Sequence, residues 1–284
     1  MTQGYSTVSS LSSYFNNIFE DAVFAVQEQT LATRLATTYT NGRGDQTRTL
    51  SEYSTISFAS VGETEDYSNP TVFDKTALAT LTPGELMAQY LLTDRRLETD
   101  PQDARQDAST NLGLAAADKM DSDIFGNFSS LTGGTVGAAG STMIWGYLFA
   151  AQSILRASKV PGPYYAVLHP FHWHDLAKTS AVSSTITNAP NFQDEVMRNW
   201  YVGSVAGMNI FYSSNCPTSS TDAYSAVFAR PALAFDLRRD FRIEPERDAS
   251  KRAWELNASM LYAHGVWRPL WGVQIIADAS TPTS

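Results

Sequence analysis

The spacing of hydrophobic and polar residues divides the first part of the chain into an arm and a hairpin. From Leu11 to Leu35 the apolar residues recur at close to helical spacing, which predicts an N-terminal arm with an amphipathic helix. After a turn at residues 41–45, alternating residues from Arg48 to Thr80 predict a long β-hairpin. Its middle, residues 61–67, is acidic and contains glycine, so we expect its tip to project into solvent or onto a neighbouring subunit.

Helical patterns follow the hairpin. A helix is predicted over residues 85–92, after the Pro-Gly pair that precedes it. A second and longer helix is predicted over residues 100–126, with Asp100 as its N-cap and Pro101 at its first helical position. It is rich in alanine, so it can pack closely. The glycine-rich stretch 129–141 predicts a flexible linker and is the best candidate for a domain boundary.

The second half of the chain mixes helices with short strands. Helices are predicted over residues 142–159, from Pro170 to Lys178, and over residues 192–200. Strands are predicted at residues 164–168, 223–229, 232–237, 242–246, 253–265 and 272–277, and residues 203–212 are predicted to form a tight turn that leads into a strand. Because most of these strands follow one another without a βα repeat, the fold class is predicted to be α+β.

Composition and charge narrow the class of protein. With 43% hydrophobic residues over 284 positions, the chain can bury a substantial core. Only 17% of residues are charged, so much of the surface is neutral and polar, a pattern that fits an assembling protein. The net charge of -9 argues against a nucleic-acid binder, because duplex affinity comes largely from lysine and arginine. The net charge does not exclude a surface that faces packaged DNA without binding it tightly.

Cysteine content and hydropathy indicate the cellular compartment that we expect for the protein. The single Cys216 excludes an internal disulfide framework and a multi-cysteine zinc site. No apolar run approaches the roughly 20 residues of a membrane span, and the N-terminus lacks the basic and apolar regions of a signal peptide. We therefore expect a soluble protein of cytoplasmic origin with no membrane segment.

Three histidines lie close together and suggest a metal site, but their spacing argues against one. Pro170 suits the first turn of a helix, which places His169 at the cap. His172 and His174 then lie on nearly opposite sides of that helix. A packing or capping role is the favoured interpretation. His172 with Asp175, at helical spacing i and i+3, remains the alternative for a metal.

Other chemical motifs are weak. Arg43-Gly44-Asp45 matches the integrin-recognition tripeptide, but it is also ordinary turn chemistry. Asp118, Asp121 and Asp123 cluster near a helix end, where a solvated or inter-subunit polar patch is favoured over a cation site. Cys216 has no obvious histidine partner that would make it a nucleophile. Phosphate-binding loops, dinucleotide-binding motifs and serine-hydrolase motifs are missing from the sequence, so we predict no enzyme and no cofactor.

The order of these elements resembles the major capsid proteins of tailed bacteriophages, whose fold is named after phage Hong Kong 97. In chain order the matching pieces are Tyr165–Pro170 with Trp173 and Leu176, Gly203–Ile210 with Ser213 and Ser214, Ala226–Ala234, Phe241–Asp248 and Gly265–Val273. The resemblance covers nearly the whole chain.

The resemblance implies an α+β fold of the Hong Kong 97 type with named parts. They are an N-terminal arm at residues 1–40, an extended hairpin called the E-loop at 41–80, a peripheral domain at 81–141 with a spine helix at 100–126, to which C-terminal strands return, and a mostly axial domain at 142–284.

The function implied by the resemblance is structural. Copies of the chain would self-assemble as pentamers and hexamers into an icosahedral head shell that encloses a double-stranded DNA phage genome without sequence-specific binding. The shell would be assembled in the cytoplasm of the bacterial host and would end in the virion. The expected partners are the chain itself, a separate scaffolding protein, a portal protein, and a decoration or cement protein where the shell carries one.

The hairpin is where inter-subunit contacts are expected, because a long hairpin cannot bury both faces within its own subunit. The candidate contact residues are Arg43, Asp45, Arg48, Glu52, Glu63, Glu65, Asp66 and Lys75. Some members of the family form cross-links from a lysine in this hairpin. Here Lys75 is the only lysine near the hairpin and lies at its base, so no cross-linking is predicted.

Three alternative functions stay open. The first is an encapsulin-like protein compartment of the same fold, which would hold enzymes in place of DNA. The second is a metal-dependent enzyme built around His172 and Asp175. The third is an adhesion protein that uses residues 43–45, which the lack of a secretion signal disfavours.

Overall fold

The computed structural model describes residues 30–44, 46–64, 66–67, 70–99, 104–182 and 203–282. Some predictions fall outside these described residues. They are the N-terminal helix up to residue 29, the Asp100–Pro101 helix start and the helix at 192–200.

Helices and strands are interspersed along the described chain. The helices are α1 (Ala32–Leu35), α2 (Asp94–Thr99), α3 (Ala104–Phe125), α4 (Trp145–Ala157) and α5 (Pro170–Val182), with short 3₁₀ helices at Gly126–Ser130, Arg230–Ala232 and Pro269–Trp271. The strands are β1 (Thr37–Tyr39), β2 (Arg48–Tyr53), β3 (Lys75–Leu81), β4 (Gly84–Thr93), β5 (Thr135–Gly137), β6 (Tyr164–Leu168), β7 (Ser204–Val205), β8 (Met208–Tyr212), β9 (Thr218–Ser219), β10 (Asp222–Ala229), β11 (Leu233–Asp248), β12 (Ala253–Val266) and β13 (Gly272–Asp278).

The long helix α3 packs on a four-stranded sheet of order β1-β11-β12-β4. In this sheet β1 runs parallel to β11, and the other neighbours are antiparallel. Buried residues of α3 recur every four positions, at Ala108, Leu112, Ala116, Met120 and Ile124. This spacing keeps them on one side of the helix, which therefore buries a continuous apolar stripe.

A second sheet has the order β5-β13-β10-β6-β8-β7, with β9 paired to β10. Its strands β6 and β10 are almost entirely buried, which explains why they are continuous apolar runs in the sequence. Helices α4 and α5 contribute Leu148, Trp145 and Trp173 to the core of this sheet, and the two tryptophan rings lie 6.3 Å apart. The two sheets are joined through Phe128, whose ring lies 5.7 Å from that of Phe228 in β10.

Strands β2 and β3 form a separate two-stranded sheet. Their register runs from the pair Arg48 and Leu81 at the base to the pair Tyr53 and Lys75 at the far end. In the described part of the chain this hairpin pairs with no further strand. Residues 54–74 continue beyond it.

The helix predicted over residues 85–92 is wrong, because these residues form β4 at the edge of the first sheet. Helical propensity is a weak signal that tertiary pairing overrides. Along β4 the side chains alternate as in a strand. Leu86 and Leu92 pack against the core, whereas Met87 and Leu91 are 69% and 48% exposed.

The flexible linker predicted over residues 129–141 is also wrong, because it contains β5, which runs parallel to β13. Its glycines allow close packing. Gly137 has a φ of 81°, and a Cβ there would overlap the carbonyl oxygen of Ile276. In addition, the two strands predicted over residues 232–246 are a single strand, β11, whose pairing with β12 shifts register between Leu237 and Arg242.

Most other predicted elements in the described part of the chain are confirmed, with ends that shift by a few residues. The long helix is α3, the helix at 142–159 is α4, and the strand at 164–168 is β6. Among the described helices, none is long and apolar enough to span a membrane.

Candidate assembly surfaces

At the end of the hairpin, the described residues between positions 53 and 73 include a group of exposed apolar side chains. The exposed side chains are Tyr53, Ile56, Phe58, Val61, Tyr67, Val72 and Phe73. Phe58 is fully exposed, and Val72 and Phe73 are more than three-quarters exposed. Single exposed apolar residues are normal in proteins, but a dense group of them marks an interaction surface. We call residues 54–74 the arm extension.

The two legs of the arm extension are held together where they leave the strands. The backbone N–H of Ser54 donates to the carbonyl oxygen of Asp74 at 3.0 Å, and its hydroxyl donates to the carbonyl oxygen of Val72 at 3.0 Å. The rings of Tyr53 and Phe73 stack with their centroids 4.7 Å apart. These contacts continue the pairing of the two legs beyond the last strand residues, Tyr53 and Lys75.

The predicted inter-subunit residues lie in two environments. Arg48 and Glu52 contact the body of their own chain, through Asp236 at 2.9 Å and Arg268 at 3.2 Å. The side chains of Arg43, Glu63, Asp66 and Lys75 are exposed, whereas Asp45 and Glu65 lie outside the described residues. The turn predicted at residues 41–45 is confirmed at Gly44, whose φ is 52°. Contacts of these residues with a neighbour stay predictions.

A second apolar surface lies between α3 and the edge strand β4. A cleft of about 230 Å³ opens there, lined by Leu86, Met87, Leu112, Phe241 and Met260 among others. Tyr90 and Leu91 of the same strand β4 are also exposed. An uncovered edge strand beside apolar residues is a site where another chain can pack.

The end of the β11–β12 hairpin is charged and rigid. Arg247 donates two hydrogen bonds to the carboxylate of Asp94, at 2.8 and 2.7 Å. Asp248 accepts hydrogen bonds from the hydroxyl of Ser250 and the backbone N–H of Lys251, which hold the pKa of its carboxyl at about 2. A projecting turn with fixed charges is a third surface that can meet a neighbour.

The predicted aspartate patch is wrong for two of its members. Asp121 is buried. Its two carboxylate oxygens accept hydrogen bonds from the backbone N–H groups of Leu31 and Ala32, at 3.1 and 2.9 Å. Burial raises the pKa of this carboxyl. Asp123 accepts the hydroxyl of Tyr262 at 2.7 Å. These carboxylates therefore hold parts of their own chain together.

The histidine-rich stretch is a packing joint. His172 is fully buried, and its Nδ1 lies 2.7 Å from Ser225 Oγ while its Nε2 lies 3.1 Å from the carbonyl oxygen of Ala277. Both ring nitrogens are thus used, and neither is left for a metal. The carbonyl oxygen of His169 accepts the N–H of Trp173 at 3.1 Å, which confirms the capping position. Among the described residues no group of three potential ligands could hold a metal ion.

Cys216 is buried, and burial raises the pKa of its thiol well above its usual range. A thiol that stays protonated is a poor nucleophile. This agrees with the expectation from the sequence that Cys216 is not a nucleophile.

Sequence reasoning missed the most deeply buried charge, Asp236 in β11, which is fully buried between Arg48 and Arg238. The available signal was one carboxylate within the apolar run Leu233–Leu237. A charge at such a position is rarely buried without a partner. The sequence did not indicate which basic residues were its partners.

The sequence and fold were compared with known proteins. A family model described as "Phage capsid protein" matches residues 88–275. No protein of curated function matches the sequence.

Solved structures with a similar fold include three from different sources. One from Mycobacterium phage Che8 has 16% identity and a TM-score of 0.69, over 87% of this chain and 90% of that chain. The acid-stable capsid of Helicobacter pylori bacteriophage KHP30 has 10% identity and a TM-score of 0.69, over 88% and 90%. A virus-like particle from Pyrococcus furiosus has 13% identity and a TM-score of 0.60, over 92% and 99%. At these identities the similarity shows the fold alone.

Proposed function

This chain belongs to the phage capsid protein family, and on that premise we propose that its copies assemble as pentamers and hexamers into an icosahedral head shell. The fold is of the Hong Kong 97 type, and the chain is a shell-forming capsid protein of the virion. We propose that the shell forms in the cytoplasm of a bacterial host. The role proposed for the chain is structural and not enzymatic.

The observation that carries the proposal is the arm extension, whose apolar side chains lie outside the core of their own subunit. Burial of this apolar surface against another copy stabilises the contact between the two copies by about 25 cal/mol for each Å² removed from water. In a closed shell, the arm extension of each subunit would pack on one neighbour, and the arm extension of another neighbour would pack on that subunit. Weak contacts that are repeated in this way add up to a stable particle.

The content proposed for the shell is a double-stranded DNA genome. The net charge of -9 supports a shell that encloses DNA without binding it tightly, because contacts to DNA phosphates are made largely by basic side chains. No sequence-specific binding is proposed. The remaining proposed partners are a scaffolding protein, a portal protein and, where the shell carries one, a decoration or cement protein.

We propose that the chain is divided as its sequence suggests, into an N-terminal arm at 1–40, an E-loop at 41–80, a peripheral domain at 81–141 and a mostly axial domain at 142–284. Strands β11 and β12 belong to the peripheral part in this proposal, because β12 pairs with β4 and both strands lie under α3. The second sheet with α4 and α5 forms the axial part.

A protein compartment is the second candidate. The similarity to the Pyrococcus furiosus virus-like particle favours it, because that chain is matched over 99% of its length. Such a compartment would be built from the same subunit contacts. It would differ from a phage head in what it encloses.

The test is to express the full chain and examine the purified product by electron microscopy. Uniform closed shells support assembly, and a product that stays monomeric at all concentrations contradicts it. Particles recovered from the organism that carries the sequence then decide the content. Double-stranded DNA indicates a phage head, whereas a defined cargo protein without DNA indicates a compartment.

A further inference from the structure

We propose that Asp236 is a positioning residue for assembly, because it fixes the direction in which the β2–β3 hairpin leaves the body of the subunit. This inference rests on the proposed function, in which the arm extension meets a neighbouring copy. It concerns the root of the hairpin and not its exposed end.

Asp236 joins the hairpin to the body through two guanidinium groups. Its Oδ2 accepts the Nε–H of Arg48, the first residue of β2, at 2.9 Å. The same oxygen accepts the Nε–H of Arg238 at 2.9 Å and lies 2.7 Å from its Nη2. Asp236 is fully buried, and the side chain of Arg238 is only 3% exposed. Hydrogen bonds between charged groups in such a place are short and strongly directional.

The same two arginines also hold the segment that leads into the hairpin. Arg48 donates from Nη2 to the side-chain oxygen of Asn41 at 2.7 Å, and its guanidinium lies 4.8 Å from the ring centre of Tyr39. Arg238 donates from Nη1 to the carbonyl oxygen of Arg43 at 3.1 Å. A Cβ at Gly42 would overlap the Arg238 guanidinium, so a larger residue there would have to displace that group. The turn, the root of β2 and β11 therefore share one charged centre.

Other contacts at the root cannot set a direction as firmly. Leu50 and Leu81 are buried against Ala234 and Ala263, but apolar contact is not directional. The ion pair between Glu52 and Arg268 is partly open to solvent. Pairs of that kind contribute little. Of these three contacts of the hairpin with the body, the one at Asp236 is both buried and directional.

The arrangement is poorly suited to stability alone. Oδ1 of Asp236 is buried without a hydrogen-bond partner among the described residues. A buried and unsatisfied polar atom costs about 1–3 kcal/mol. Buried charges often add little net stability but can specify one arrangement over others. The direction of the hairpin at its base matters because the hairpin is long. Ten extended residues reach roughly 33 Å. A small rotation at the base therefore moves the tip by several ångströms.

The test compares Arg48→Met and Asp236→Asn with control variants. We expect Arg48→Met to give folded subunits that assemble into open, tubular or mixed-diameter particles, with fewer than half in the native size class. Arg48→Lys should restore part of the native class, because it keeps the charge. Glu244→Gln, which removes the exposed ion pair between Glu244 and Arg242 in β11, is the control for assembly and should give native shells. If Asp236→Asn does not fold, Arg48→Met decides, because Arg48 lies at the partly exposed edge of the site.

A distance measurement separates this proposal from the assembly proposal. Spin labels on Thr64→Cys and Ser153→Cys, in a Cys216→Ala background, report the direction of the hairpin in unassembled subunits. Arg48→Met should broaden the distance distribution at least twofold, and Glu52→Gln, which removes the other ion pair of β2, should leave it unchanged. Uniform native shells from Arg48→Met, or an unchanged distribution, would overturn the role of Asp236. If the unmodified chain forms no shells, the assembly proposal fails. The distance measurements on unassembled subunits still test whether Asp236 fixes the direction of the hairpin.

Discussion

The Nδ1 atom of His172 lies 2.7 Å from the Oγ atom of Ser225, and this contact fastens α5 to β10 inside the second sheet. The other ring nitrogen faces the carbonyl oxygen of Ala277, which can only accept, so Nε2 carries the proton. Nδ1 then accepts from the hydroxyl of Ser225. That hydroxyl also accepts the N–H of His169 at 3.1 Å. The neutral imidazole thus uses both of its ring nitrogens in hydrogen bonds, to Ser225 and to Ala277.

This joint predicts that the subunit loses stability in mild acid. Burial lowers the pKa of His172 below its usual 6.5, although Asp175, Asp278 and Asp222 partly oppose the shift. Because the folded state resists protonation, the unfolded state binds the proton more readily. The contribution of His172 is complete above pH 6.5 and declines as the pH falls below that value. Urea unfolding of the full chain between pH 7.5 and pH 5 measures the decline.

His172→Gln tests whether His172 is responsible. Glutamine can still donate to Ala277, but it leaves Ser225 without its acceptor. We expect a loss of about 1–3 kcal/mol at pH 7.5 and a weaker dependence on pH below 6.5. His174→Gln, at a partly exposed position of the same helix, is the matched control and should keep the native pH dependence. A native pH dependence in His172→Gln would show that the slope has another source.

The sequence predicted this region well because the relevant signals are local. Pro170 starts α5 as expected, and helical spacing separates His172 from His174. The prediction of β4 failed for the opposite reason. Residues 85–92 contain good helix formers, and only their pairing with β12, more than 160 positions away, makes them a strand.

The same limit applies to the candidate site. The alternation from Arg48 to Tyr53 predicted the hairpin, and its acidic middle predicted an exposed tip. The partner of Arg48 could not be predicted, because Asp236 is 188 positions away in sequence. Contacts that depend on the fold, such as the one between Asp121 and the start of α1, leave no pattern in neighbouring residues.

Asp121→Ala should release the start of α1 from the long helix α3. Two backbone N–H groups, of Leu31 and Ala32, lose their shared acceptor. Losing a side-chain acceptor for backbone N–H groups costs about 1 kcal/mol, and we expect faster proteolysis near residues 30–36 together with that loss of stability. Limited proteolysis and urea unfolding provide the two measurements. Asp118→Ala removes a nearby exposed carboxylate and should change neither. Equal effects of the two substitutions would contradict the anchoring role.

Mature shells should contain no covalent links between subunits. Lys75 pairs with Tyr53 at the far end of the β2–β3 sheet, where the arm extension begins, and so does not lie at the base of the hairpin as the sequence suggested; its ammonium lies 6.0 Å from the Tyr53 ring. It is therefore far along the chain from the exposed tip that would reach across a neighbour. Boiled, detergent-treated shells should run as a single monomer band on a gel. A ladder of oligomers that disappears in Lys75→Arg would show that the prediction is wrong.

The apolar side chains of the arm extension should control assembly without controlling folding. Phe58→Ser and Phe73→Ser each remove an exposed ring, so the free energy of unfolding of the subunit should change by less than about 0.5 kcal/mol. Each lost contact to a neighbour should weaken subunit association, and a loss of 1.4 kcal/mol is a factor of ten in the association constant.

We therefore expect the lowest concentration that supports shell formation to rise at least tenfold in Phe58→Ser or Phe73→Ser. Light scattering across a concentration series, with electron microscopy of the products, measures this threshold. Leu270→Ser removes a similarly exposed apolar side chain from the body and is the matched control, which should assemble at the native concentration. If Leu270→Ser raises the threshold as much as Phe58→Ser does, the effect comes from losing any exposed apolar side chain and is not specific to the arm extension. A rise confined to the two phenylalanine variants assigns the subunit contact to the arm extension, because all three changes remove apolar area from an exposed position.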